Sequence, residues 1–218
     1  MRIGVIGAGR MGGALGTIFA QSGHKVLFSY ARSRDKLDRL VREAGADASW
    51  GTPAEAAGTA DVVLLAVHWA RLDDALAQAG SLADKIVVTC CVPLNESDTE
   101  LVVAHRQSGA EALAAKASGA RVVAAFQTTP SEVLRPAFKA RERHPRPSLV
   151  YCGDEMKSKA TVATLIAAAG FDPVDAGGLR IARYIEPFAM LGAELAYGHA
   201  GGPEWVYRFA RLDSLVAG

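Results

Sequence analysis

Three strand-length stretches of this chain are apolar at nearly every position: VVLLAV from Val62, IVVTCCV from Ile86 and RVVAAF from Arg121. A strand with one wet face alternates polar and apolar residues, so stretches like these must be covered on both faces. The usual solution is a parallel sheet with helices packed on either side. Strands are predicted at Arg2–Ile6, Lys25–Tyr30, Asp61–Val67, Lys85–Val92 and Arg121–Phe126, with helical patterns between them. Met11, Leu15, Ile18, Phe19 and Ser22 share one helical face, and Gly23 stands where such a helix would end. Thr52-Pro53-Ala54-Glu55 and Ser108-Gly109-Ala110-Glu111 both read as capping boxes that open helices. Alternating β and α with short links specifies an α/β fold built on a doubly wound parallel sheet, of the Rossmann type.

The pattern changes near residue 148, which divides the chain into a main domain at 1–147 and a small C-terminal α/β lobe at 148–218. Arg135 to Ser148 carries five cations against the single carboxylate of Glu142, with three prolines. It reads either as a solvated connection or as a basic lip for an anion. Leu149–Gly153 is a further strand, Asp154–Gly170 a helix and Phe171–Gly177 a short strand. From Leu179 the chain is apolar nearly all round (Ile181, Tyr184, Ile185, Phe188, Met190, Leu191, Leu195), as in a helix buried in a second layer or a subunit interface. The expectation is a homodimer joined through these C-terminal helices.

Lys and Arg number 24 and Asp and Glu 23, so no basic excess points to nucleic acid or to a membrane surface. No apolar run reaches bilayer-spanning length, and the opening residues lack the pattern of an export signal, so a cytoplasmic protein is expected. Cys90, Cys91 and Cys152 match no metal or disulfide spacing. Cys90 and Cys91, adjacent on one strand, should face opposite ways as small buried hydrophobes.

The chemistry begins at Gly7-Ala8-Gly9-Arg10-Met11-Gly12, a G-x-G-x-x-G string that leaves a predicted strand and opens a predicted helix. In that setting Gly7 allows the tight turn, Gly9 lets backbone approach a diphosphate, and Gly12 lets helix and strand pack closely. The amides at the helix start then face the phosphates. The end of the second strand selects the dinucleotide. An NAD site places a carboxylate there for the ribose hydroxyls, whereas Tyr30-Ala31-Arg32-Ser33-Arg34 has no acid before Asp35. Arg32 with Ser33 suits a ribose 2′-phosphate, with Arg34 and Lys36 as supporting charge. NADP(H) is therefore the expected cofactor.

In a doubly wound sheet the ligand crosses the carboxyl ends of the strands, which brings three turns to the nicotinamide. They are Ala66-Val67-His68-Trp69, Val92-Pro93-Leu94 and Gln127-Thr128-Thr129-Pro130. His68 and Trp69 serve either as loop packing or as a wall for a flat ring, Val92-Pro93 suits a ring face, and Gln127 and Thr128 could bond a carboxamide or the hydride acceptor. No lysine follows Phe171, as hydroxyacid dehydrogenases with similar openings require, and Lys157 and Lys159 are read as exposed. A site without an obvious proton donor is suited to positioning two rings for hydride transfer. No catalytic side chain is assigned, with His68 and Gln127 as acceptor-side candidates.

These motifs resemble those of the deazaflavin-dependent NADP oxidoreductases (coenzyme F-420:NADP oxidoreductase and relatives). The resemblance runs through GVIGAGRMGGAL, SYARSRDK, LLAVHW, VVTCCVPL and AAFQTTPSEVL to the block CGDEMKSKATVATLIAAAGFDPVDAGGLRIARYIEP. That last block separates the chain from pyrroline-carboxylate reductases, which share only the glycine loop. The resemblance implies hydride exchange between the nicotinamide and a deazaflavin, with Arg32 and Ser33 at the 2′-phosphate and Val92-Pro93 near the stacked rings. His68 and Gln127 depart from the family pattern on the acceptor side, so the second substrate is a deazaflavin such as coenzyme F-420, a flavin or a similar ring. Two alternatives stay open. One is reduction of a small imine or carbonyl with His68 or Tyr184 as the acid. The other is an NADP-holding redox sensor without turnover.

Overall fold

The computed structural model describes residues 1–212. Its strands are β1 (Arg2–Ile6), β2 (Lys25–Ser29), β3 (Ala48–Trp50), β4 (Val62–Leu65), β5 (Ile86–Thr89), β6 (Arg121–Ala124), β7 (Ser148–Gly153) and β8 (Asp172–Asp175). The helices are α1 (Arg10–Gln21), α2 (Arg34–Ala44), α3 (Pro53–Thr59), α4 (Leu72–Ala79), α5 (Gly109–Lys116), α6 (Ser131–Lys139), α7 (Met156–Ala168) and α8 (Ala182–Tyr197). The strands form one sheet in the order β3-β2-β1-β4-β5-β6-β7-β8. Every pair from β3 through β6 is parallel, β7 runs antiparallel to β6, and β8 is parallel to β7. The Rossmann-type fold expected from the sequence is thus present, and the strands of the C-terminal part extend the same sheet.

The continuous apolar runs have the expected cause. Val62, Leu64, Val88 and Val123 pack into the core on one face of the sheet, with α1, α2, α6 and α7. Val63, Leu65, Val87 and Val122 pack into the core on the other, with α3, α4 and α5. Burying both faces of a strand removes the polar half of the alternation. Cys90 and Cys91 do diverge, Cys90 bordering the first core and Cys91 lying within the second.

Both capping boxes form, with Thr52 accepting the Glu55 amide and Ser108 the Glu111 amide. Three local expectations are corrected. The basic stretch is not all connection, because Arg135 and Lys139 lie in α6, and only the part beyond it links to β7. Lys159 is largely covered rather than exposed, its ammonium bonded to the Asp175 carboxylate and the Gly177 carbonyl. Helix α8 is not buried all round: Ala182, Ile185, Glu186 and Ala189 face inward, whereas Tyr184, Leu191 and Leu195 are exposed. No helix among the described residues is long and apolar enough to cross a membrane.

Strand order reverses between β1 and β4, since the chain winds outward through β2 and β3 before returning to β4. A crevice opens at such a switch point because the helices after the two strands leave on opposite faces. Helix α8 then crosses the carboxyl ends of the strands and roofs this crevice.

Candidate functional site

The glycine turn joins β1 to α1. Gly7 has φ +107°, a backbone conformation that L side chains rarely adopt, and a methyl there would overlap the Ala66 carbonyl. A methyl at Gly12 would overlap the Gly7 carbonyl oxygen, so α1 can close on β1 only through hydrogen. Gly9 is different: a methyl there would meet nothing within 4 Å. It stands at the N-cap of α1, where no side chain caps the helix and the first turn holds no acid. The amides that begin α1 thus present the positive end of the helix without competition from the chain's own carboxylates.

The turn after β2 also departs from common backbone geometry, with Tyr30 at φ 54°. The Tyr30 carbonyl accepts the Ala8 amide at 3.2 Å, which ties this turn to the glycine loop. Its phenol donates to Asp74 of α4, and burial with that carboxylate beside it pushes the hydroxyl up to about 12. Ala31 is half-buried, Arg32 and Ser33 are exposed, and Lys36 lies on the first turn of α2. Ser33 takes the N-cap position of α2 without spending its hydroxyl on a cap bond. Arg34 lies over the ring of Trp50, 4.6 Å from its centre, so its charge is already placed.

The principal cleft encloses about 620 Å³. The turn after β1 and the start of α1 contribute Gly9, Arg10 and Met11; the turn after β4, Ala66, Val67 and His68; the turn after β5, Cys90, Val92 and Leu94. Phe126 to Ser131 form the side beyond β6, and Ala189, Met190, Gly192, Ala193 and Tyr197 of α8 form the roof. Phe126 sits at φ 66°, the second bulky residue held in this conformation at a strand's carboxyl end.

His68 is fully engaged. Its Nε2 and the Asp98 Oδ1 lie 2.8 Å apart, and its Nδ1 accepts the Ala70 amide at 3.2 Å. With Nδ1 accepting, the hydrogen lies on Nε2, and the ring clamps the Asn95–Leu101 turn to the end of β4. Gln127 is 9% exposed, and its Nε2 donates to the Cys91 carbonyl at 2.8 Å while its Oε1 is buried without a partner. Beside it lies Glu186 of α8, 1% exposed, whose carboxylate accepts the Gly109 and Ala110 amides at 2.8 and 3.0 Å. Burial raises Glu186 to about 7 even though both amides and the Gln127 amide favour its charged form. At the other end of the roof the Tyr197 hydroxyl donates to Glu132 at 2.9 Å, and Arg10 lies 3.6 Å from the same carboxylate.

The cleft brings together Gly9, Arg10, Met11, Ala66, Val67, His68, Val92 and Gln127 of the sequence-derived residues, with Leu94, Thr128, Thr129 and Pro130 of the same predicted turns. Gly7, Ala8 and Gly12 lie behind its floor. Tyr30, Ala31, Arg32, Ser33 and Lys36 line a separate turn at the end of β2, and Pro93 is buried against Gly109 rather than facing the cleft. Tyr184, 62% exposed, is not among the lining residues. Glu186, Asp98, Glu132 and Tyr197 were not singled out from the sequence. A carboxylate inside an otherwise apolar helix pattern was the one signal available for Glu186. Cys90 also faces the cleft, and burial raises its thiol well above the ordinary range. Among the described residues no group of three or more His, Cys, Asp or Glu could hold a metal ion.

Residues 2–93 match the family of NADP oxidoreductases, coenzyme F420-dependent. The resemblance read from the motifs is borne out. Among curated proteins the chain is 29% identical to Metalloreductase STEAP3 of Rattus norvegicus over 192 residues, 87% of this chain and 36% of that one. It therefore spans about a third of that relative's length. A solved structure from Arthrobacter sp. FB24, provisionally described as an F420-dependent NADP-reductase, superposes with TM-score 0.84 at 25% identity, covering 96% of this chain and 99% of that one. An imine reductase of Streptomyces aurantiacus shares the fold at TM-score 0.66 and 18% identity, over 89% of this chain and 63% of that one.

Proposed function

We propose that the protein is an NADP(H)-dependent oxidoreductase that passes hydride between the nicotinamide and a deazaflavin or flavin-like ring. One observation carries the reading. An uncapped helix start with open space at Gly9 opens onto one apolar cleft, and the glycine loop is tied through the Ala8 amide and the Tyr30 carbonyl to the acid-free turn bearing Arg32 and Ser33. The first feature fits a diphosphate and the second fits a 2′-phosphate. The matched family and the Arthrobacter protein's description support the same cofactor.

On this reading the amides of Gly7 to Gly12 hold the diphosphate, with Arg10 and Met11 at the cleft edge. Arg32, Ser33 and Lys36 hold the 2′-phosphate, and Tyr30 and Ala31 flank the adenosine. Ala66, Val67, His68 and Val92 shape the nicotinamide end, with Pro93 packed behind Val92. NADP(H), when bound, supplies the hydride. The protein's own part is to exclude water and align two rings, which lowers the barrier through orientation rather than proton transfer. Both nitrogens of His68 are engaged and Tyr184 lies off the cleft, so neither side chain favours reduction of an imine or carbonyl by a dedicated acid. The exposed Tyr184, Leu191 and Leu195 on α8 support a homodimer through this helix.

Anaerobic stopped-flow mixing of NADPH with coenzyme F-420, FMN and FAD tests the reading. Loss of nicotinamide absorbance with matching reduction of one acceptor is expected. No hydride transfer to any of the three would remove it.

A further inference from the structure

Helix α8 roofs the cleft, yet its two halves are held in different ways. In the first half Arg183 grips the Glu111 carboxylate at 2.8 and 2.7 Å, and Glu186 accepts the Gly109 and Ala110 amides at 2.8 and 3.0 Å, so this part is fixed to α5. The second half supplies Ala189, Met190, Gly192, Ala193 and Tyr197 to the cleft. Among the described residues, the one hydrogen bond that ties this half to another element runs from the Tyr197 hydroxyl to the Glu132 carboxylate of α6, at 2.9 Å.

Pro187 stands between the two halves, inside the helix. It has no N–H for the Arg183 carbonyl, and its ring crowds the preceding turn. The helix is therefore weakest where the roof leaves its anchor, which is where a helix bends most readily. At the far end Glu132 meets both lips of the cleft. One of its oxygens accepts the Tyr197 hydroxyl and the Ser131 hydroxyl, the latter at 3.0 Å. The other lies 3.6 Å from the Arg10 guanidinium at the start of α1. Arg10 follows Gly9, where the backbone is open to an anion.

We propose that residues 188–197 form a lid, hinged at Pro187 and latched by Tyr197 on Glu132, that opens to admit the dinucleotide and closes to retain it. The inference rests on the NADP(H) reading above and adds the step that sets how long the cofactor stays. Because the latch carboxylate also lies beside Arg10, the lid closes at the diphosphate end of the cleft. It guards the nicotinamide half of the cofactor and leaves the 2′-phosphate turn at Arg32, which stands outside the cleft, untouched. Glu132 acts through Tyr197 and is a positioning residue.

Stopped-flow mixing tests the lid, with NADPH fluorescence reporting association and a chase with excess NADP⁺ reporting release. Tyr197→Phe should release NADPH about three- to tenfold faster, the value of one net hydrogen bond, at an unchanged melting temperature. Glu132→Gln keeps an oxygen for the phenol and should fall between the native protein and Glu132→Ala. Adding Tyr197→Phe to Glu132→Ala should accelerate release no further, as for two partners in a single bond. Pro187→Ala restores the missing helical bond and should slow association by about twofold or more. Adenosine 2′,5′-bisphosphate, which lacks the nicotinamide half, should bind the native protein, Tyr197→Phe and Pro187→Ala alike in a calorimetric titration. A merely structural role would weaken both ligands together. Native-like release from Tyr197→Phe, native-like association in Pro187→Ala, or an equal loss of the bisphosphate overturns the lid alone. Failure of the native protein to bind NADPH overturns the cofactor reading along with it.

Discussion

Glu186 reaches across from α8 to accept the Gly109 amide at 2.8 Å, so a carboxylate 77 residues away completes the first turn of α5. The Ser108–Glu111 capping box satisfies other groups of that turn, and Arg183 then chelates Glu111. Two consecutive turns of α8, the helix that roofs the cleft, are thereby anchored to a single helix start.

Acid–base linkage gives that anchorage a pH signature. Glu186 ionises near 7 in the folded chain but near 4.5 when unfolded, so between these values the folded state holds more protons. Stability accordingly falls as pH rises from 4.5 to 7, by about 3 kcal/mol in total. Glu111 acts oppositely: Arg183 holds it down to about 2, so its contribution is present above 4.5 and is lost as pH falls toward 2. Urea unfolding at pH 5 and pH 8 should show a smaller loss of stability in Glu186→Gln than in the native protein. Parallel losses in the two proteins would refute the assignment.

Gly9 and Gly12 should separate binding from folding. A methyl at Gly9 enters open space, so Gly9→Ala should melt like the native chain yet lose NADPH affinity by about tenfold or more, because the methyl stands where the diphosphate must approach. A methyl at Gly12 strikes backbone, so Gly12→Ala should cost about 2 to 3 kcal/mol of stability. Thermal melts paired with NADPH titration distinguish the two.

Charge reversal at the turn after β2 addresses cofactor choice. Arg32→Glu should weaken NADPH about ten- to a hundredfold, by removing a charge-assisted contact and adding repulsion, and leave NADH nearly unchanged. Equal losses for both nucleotides in a calorimetric titration would show that Arg32 does not meet the 2′-phosphate.

The His68 clamp is a matter of local order. His68→Ala removes the bonds to Asp98 and to the Ala70 amide, and a partly exposed pair of this kind contributes under about 1 kcal/mol to global stability. Hydrogen exchange should accelerate over residues 95–101 while the unfolding midpoint hardly moves.

The exposed face of α8 offers a last test. If two copies meet there, Leu191→Glu should shift light-scattering mass from dimer to monomer, since a charge would be buried at the contact. A native protein that is already monomeric would dispose of this interface.

Much of the molecule was legible in its residues. Strand centres, both capping boxes, the glycine turn and the acid-free turn at Arg32 all follow from short-range sterics and periodicity. The predicted strands ran long at their carboxyl ends, through Val67, Val92 and Phe126, because a cleft wall uses the same apolar residues as a sheet interior. The edge strand β3 was missed because three residues on the sheet's rim need no apolar run. Helix α8 read as buried all round, since composition cannot distinguish a face covered by the chain's own core from one left bare.

By itself, then, the sequence determined that a doubly wound sheet would form and that its first turn would be open to an anion. Both depend on residues within a few positions of one another. Only the tertiary structure decided that Glu186 would meet α5 beside Gln127, that His68 would hold Asp98, and that Tyr184 would lie off the cleft while Tyr197 lined it. Those pairings join residues 30 to 77 positions apart, where burial, helix placement and the satisfaction of buried polar groups set the partner and local pattern has no influence.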